Sequence, residues 1–176
     1  MRAVPITVTA LAAALLLTAC SSDDGGSEGS GGGAGKAAGS ACAAGDLTQD
    51  VAANAAPTAG DSGNVTVTLT NKGPECTLDG FPGVALVAGG TSATVAGDPA
   101  AEAQKLTLAK QGTTSFTITY QRGESGDQSL AVETVKYSLP GATRTASFDW
   151  SYGDVALKSD GDAPEASVSG FQQAGD

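Results

Sequence analysis

The sequence predicts an all-β domain: an antiparallel β-sandwich of about seven to nine short strands, pinned by one disulfide. Three observations carry that expectation. Several segments alternate apolar and polar residues with period two. Clusters of Gly, Pro, Asn, Asp and Ser punctuate the chain between them. No stretch of the body repeats its apolar residues at a helical period.

The strands are read in chain order. Leu47 to Ala55 is a first strand with weak alternation. Asn64 to Asn71 alternates without a slip: Val65, Val67 and Leu69 on one face, Thr66, Thr68 and Thr70 on the other. Asn71-Lys72-Gly73-Pro74 ends it, because Pro cannot donate to a ladder. Val84–Ala88 and Leu106–Ala109 are shorter strands. Ala100 to Lys105 between them has room for one helical turn. Thr113 to Gln121 puts Thr114, Phe116, Ile118 and Tyr120 on one face. Leu130–Tyr137 shifts phase between Val132 and Val135, which predicts a bulge. Thr143 to Trp150 turns Ala146, Phe148 and Trp150 inward. Tyr152–Leu157 closes the set.

The segments outside this body have other chemistry. Arg2 precedes an apolar run from Val4 to Leu17, too short for a comfortable span. It ends in Leu17-Thr18-Ala19-Cys20, which matches the lipobox of bacterial lipoproteins. Residues 1–19 are therefore expected to be a signal peptide, cut between Ala19 and Cys20, with a diacylglyceryl group on the Cys20 thiol. Two acyl chains suffice for stable anchoring. The alternative is an ordinary secretory signal with an incidental Cys. Residues 20–41 are Gly- and Ser-rich and read as a flexible linker. The body spans 42–158, and the acidic segment 159–176 is expected to be a mostly mobile tail. Docking of Val168 and Phe171 as a last short strand is the alternative.

With Cys20 acylated, Cys42 and Cys76 remain, and an even pair in an exported chain reads as one disulfide. A free dithiol is the alternative, but there is no C-x-x-C spacing. A disulfide that joins the chain start to the end of an early strand would pin a first strand that pairs weakly.

Composition removes whole classes of function. The 176 residues include no His, which excludes a Ser-His-Asp triad, a Cys-His dyad and His-ligated metal. A net charge of -10 argues against nucleic acid as a partner. Gly60-Asp61-Ser62-Gly63 copies the string around the nucleophile of trypsin-like proteases, but no base is available to activate the Ser. It reads instead as a hairpin turn. Asp160-Gly161-Asp162 resembles a fragment of a Ca²⁺ loop, and Pro164-Glu165 breaks the required spacing. No catalytic residue, metal site or cofactor is expected. Phe81, between turn residues in Gly80-Phe81-Pro82-Gly83, is the one candidate partner contact; otherwise it tucks under its loop.

The run Asn64-Val-Thr-Val-Thr-Leu-Thr-Asn-Lys-Gly, followed by Cys76-Thr-Leu-Asp-Gly-Phe-Pro-Gly-Val, resembles a family of actinobacterial secreted lipoproteins known as domain of unknown function family 4232. Leu108-Ala-Lys-Gln-Gly112 resembles that family's turn into its next hairpin, and the likeness covers roughly Cys42 to Tyr152. The resemblance implies export and an immunoglobulin-like antiparallel β-sandwich. It implies no activity. The expected protein is a monomeric, non-catalytic binding or accessory module, lipid-anchored on the extracytoplasmic face of the cell membrane, with an envelope component as partner. A carboxylate-based secreted hydrolase and a structural envelope protein are the competing classes.

Overall fold

Period-two alternation with β-branched residues gives a strand one apolar and one polar face, and the apolar faces must then find one another. The computed structural model describes residues 39–161 and 163–173. The expected signal peptide, its Ala19-Cys20 junction and most of the linker lie outside the described residues. A 3-10 turn, Ala44–Asp46, leads into β1 (Leu47–Asn54), β2 (Ser62–Asn71), β3 (Cys76–Asp79), β4 (Gly83–Ala88) and β5 (Thr91–Gly97). There follow β6 (Lys105–Leu108), β7 (Thr113–Gln121), β8 (Ser129–Leu130) and β9 (Thr134–Ser138). The chain continues with β10 (Thr145–Asp149), β11 (Val155–Ala156), β12 (Ala166–Val168) and β13 (Gln172–Gln173).

Nine of these strands form one curled sheet in the order β1-β2-β7-β12-β5-β4-β9-β10, with β13 also paired to β7. Two small pairs, β3–β6 and β8–β11, stand apart from it. The ends of the curl meet through one side chain. Gln49 on β1 donates from Nε2 to the Ser147 carbonyl on β10 at 3.0 Å and accepts from the Tyr137 hydroxyl at 2.7 Å. Inside lie Val65, Val67 and Leu69 of β2, Phe116, Ile118 and Tyr120 of β7, Leu86 of β4 and Val135 of β9, all buried. Each such side chain contributes about 1.5–3 kcal/mol by leaving water. Phe116 meets Tyr137 across the curl, with ring centroids 5.4 Å apart.

The sheet is mixed, where a purely antiparallel one was expected. β12 enters between β5 and β7, antiparallel to β7 and parallel to β5. A strand wedged between two antiparallel neighbours must run parallel to one of them. The same insertion corrects the expected tail. Val168 and Phe171 are both buried, and Phe171 packs edge-on against Phe116 at 5.8 Å. The buried Thr114 hydroxyl donates to the Gln172 carbonyl at 2.8 Å. The domain thus runs on past residue 158 to Gln173. The segment is poor in apolar residues, but the few it has fall where the core is open.

Two strands were not anticipated. β3 is four residues long, and β5 is built of Thr, Ser, Ala and Gly with a single buried apolar side chain, Val95. The phase shift between Val132 and Val135 is a handover rather than a bulge: β8 pairs β11, whereas β9 pairs β4 and β10. The segment from Ala100 to Lys105 forms no helical turn. The Asp98 carboxylate accepts from the Ala100 N–H at 2.9 Å and closes a turn there.

Candidate functional site

The most specific string in the sequence, Cys76 to Gly83, folds into one corner of the domain. Cys42 and Cys76 are joined by a disulfide across a sequence separation of 34. The chain leading into Cys42 is also held by backbone. Thr77 N–H donates to Ser40 O at 2.9 Å, Cys42 N–H donates to Thr77 O at 3.0 Å, and the Thr77 hydroxyl donates to Gly39 O at 3.0 Å. The entry strand is therefore sewn to β3 on both sides of the covalent bond.

Asn71 organises the floor of this corner. It is fully buried, and its amide Nδ2 donates to Pro74 O at 2.7 Å, Leu108 O at 3.1 Å and Ala109 O at 3.3 Å. Its Oδ1 accepts from Gly73 N–H at 2.9 Å. One side chain thus shapes the Lys72-Gly73-Pro74 turn and holds it against the turn that precedes β7. Sequence reading treated Asn71 as a strand terminator. The signal that it does more is a polar residue on the apolar phase of a strand, following Val65, Val67 and Leu69.

Phe81 is half-buried. Gly80 before it takes φ +118°, and Pro82 after it is buried. A Cβ at Gly97 would lie 3.6 Å from Phe81 Cδ1, and one at Gly170 would lie 3.8 Å from Cε1. The ring thus rests against the end of β5 and the glycine before Phe171. Beside Gly97 a groove of about 490 Å³ follows the inserted β12, with Gln121, Lys158, Glu165 and Ser167 on its walls.

The Gly60–Gly63 string serves the fold. Thr58 donates to the Asp61 carboxylate from its hydroxyl at 2.7 Å and from its N–H at 3.2 Å. Gly60 has φ +89°, and its N–H donates to Arg122 O at 2.8 Å. A Cβ at Gly63 would come within 2.6 Å of the Tyr120 ring. Glycine at that position is what lets Tyr120 lie flat on β2. The Tyr120 hydroxyl then accepts from Ala56 N–H at 3.2 Å and donates to Tyr152 O at 2.8 Å. Trp150 stacks edge-on against Tyr120 and Tyr152, with centroids 4.9 Å from each, in line with its expected core position.

Among the described residues no three acidic or Cys side chains come together. Lys105 and Asp79 form an exposed ion pair at 3.7 Å. Burial pushes the Tyr137 phenol up to about 12, as expected for a hydroxyl at the closing seam of the curl.

The corner joins the Asn71 turn and the turn at Gln111-Gly112 beside the disulfide-bonded end of β3, whereas the Gly80–Gly83 loop lies at the other end of that strand. A family profile described as Domain of unknown function (DUF4232) matches residues 42–172. The chain belongs to this family. The DUF4232 match opens at the first disulfide Cys and closes on β13, so it takes in both docked tail strands. Comparison with curated proteins gave no match. Comparison with solved structures gave none either.

Proposed function

We propose that this DUF4232 protein is a lipid-anchored extracytoplasmic module that binds or assists a partner at the cell envelope without catalysing a reaction. The supporting observation is the way the chain enters the domain. Residues 39–42 are held to β3 by backbone hydrogen bonds and by Cys42–Cys76, so a pull from the N-terminal side falls on a covalent cross-link. A disulfide also suits an oxidising compartment. The lipobox at 17–20 supplies the anchor, and Phe81 with the adjoining groove supplies the contact surface. The curled sheet is read as a variant of the immunoglobulin-like sandwich, in which the β2–β7 wall faces the β4–β9 wall across Phe116 and Tyr137.

Cell fractionation of the Cys20→Ala variant tests the anchor. The variant should leave the membrane fraction, and retention there would refute lipidation. For the sandwich reading, an experimental structure should show two facing sheets inclined at about 30°; a continuously bonded barrel would contradict it.

A further inference from the structure

The geometry points to the outer face of β2, β7 and β12 as a platform for a neutral, extended, β-1,4-linked glycan that lies across the strands and enters the groove beside β12. This rests on the reading of that groove as a contact surface and names the class of its partner. The reasoning starts from strand phase. Val65, Val67 and Leu69 on β2 and Phe116, Ile118 and Tyr120 on β7 face the core. The alternate positions therefore face outward. From Ser62 to Thr70 and from Thr113 to Gln121 each of them is Ser, Thr, Asn or Gln. Strand propensity accounts for the Thr but not for Asn54 and Asn64, which strands disfavour.

Register lines these side chains up. Asn54 stands opposite Asn64, Asn64 opposite Thr119, Thr119 opposite Ser167, and Ser167 opposite Ala96. The row crosses β1, β2, β7, β12 and β5 with one small neutral side chain on each. Asp50 is the one charged residue in all five strands, and it lies two rows away, opposite Thr68. The chain as a whole carries a net charge of -10, so its acidity is kept off this face. Neighbouring strands are about 4.7–4.9 Å apart. An extended β-1,4-linked glycan advances by close to that distance per sugar, so each sugar meets one strand. Thr119, Ser167 and Ala96 also line the groove of about 490 Å³, so the row leads into it.

The chemistry fits as the spacing does. A sugar hydroxyl both donates and accepts, and so do Ser and Thr hydroxyls and the Asn amide. The Thr119 hydroxyl donates to Asn64 Oδ1 at 2.9 Å and so orients that amide. Among the described residues no acceptor takes Asn64 Nδ2, and Asn64 is exposed, so its two donors face the row. An anionic glycan finds no cation in the row, and at the groove wall Lys158 is offset by Glu165. No aromatic ring stands in the row, so binding builds from several modest hydrogen bonds and grows with glycan length.

The test uses the full chain in a polyoxyethylene detergent, which carries no sugar, with cello-oligosaccharides of two to six glucose units as the probe. In titration calorimetry, affinity should rise roughly threefold per sugar up to five and then level off, because the row has five strands. The β-1,3-linked isomers, which curve, should bind at least about tenfold more weakly at five sugars. Thr119→Glu and Asn64→Glu, both at exposed positions, should each weaken the five-sugar probe at least about tenfold with the melting temperature unchanged, whereas Ser125→Glu, on an exposed loop, should not. No saturable binding, equal affinity at two and five sugars, or full binding by both Glu variants at the row would overturn the proposal. A photoreactive residue at position 119 in intact cells separates the glycan from the contact surface it rests on. A sugar-bearing adduct supports both, a purely protein adduct overturns the glycan alone, and no adduct overturns both.

Discussion

Replacing Asn71 by Ala tests whether one buried amide holds the disulfide corner together. The change removes the donors to Pro74 O, Leu108 O and Ala109 O and the acceptor for Gly73 N–H. These bonds do not count equally. Pro74 and Ala109 are exposed and their carbonyls can turn to water, whereas Leu108 is 3% exposed and its carbonyl is left with only its ladder pairing to Cys76. The lost bonds cost roughly 1 kcal/mol each. With the small cavity left behind, the expected loss is about 3–4 kcal/mol. For a domain of this size that lowers the melting temperature by about 10–15 °C. Urea unfolding followed by fluorescence reads it directly, because Trp150 is the single Trp and is buried. Asn54→Ala, at an exposed position on β1, is the control and should stay within about 0.5 kcal/mol. Asn71→Asp keeps the shape but points a carboxylate at carbonyl oxygens, so it should be no better than Ala at pH 7. A loss below about 1 kcal/mol for Asn71→Ala would refute the reasoning.

Three further outcomes follow from the packing. Cys42→Ala with Cys76→Ala frees a loop of sequence separation 34, and loop-closure entropy puts the loss at about 3.8 kcal/mol, read as a shift of the urea midpoint. Phe171→Ala should cost about 3–5 kcal/mol and expose the Ser115 amide to hydrogen exchange, whereas a truly mobile tail would leave both unchanged. The Tyr137 phenol is held neutral in the folded state, with its pKa raised from 10.0 to about 12 by burial. The unfolded chain ionises first as pH rises, so this contribution is full below pH 10 and is lost as pH rises towards 12. A Tyr137→Phe variant should lose less stability over that window than the parent, as measured by denaturation at a series of pH values.

The strands that were legible in the sequence are those with large β-branched or aromatic residues on one phase. β2, β7 and β10 fall where their alternation put them, because one apolar face leaves a single workable register. β5 was not legible. Its alternation is written in Thr, Ser, Ala and Gly, and its partner across the Gly89-Gly90 turn carries the hydrophobic signal for both. β12 and β13 were hidden for another reason. Their burial depends on a gap between β5 and β7, and a gap is a property of strands already assembled. Asn71 lies between these cases, since its phase was visible and its three carbonyl partners, up to 38 residues away, were not.

By itself the sequence determined the β class, the strand phases, the Cys42–Cys76 pairing and the lack of His-based chemistry, because each depends on residue type and local spacing. The tertiary structure alone decided the mixed sheet order, the docking of the C-terminal segment and the closure through Gln49. Those depend on which backbone groups are already used when distant strands meet, and hydrogen-bond parity across a sheet is settled only once every neighbour is in place.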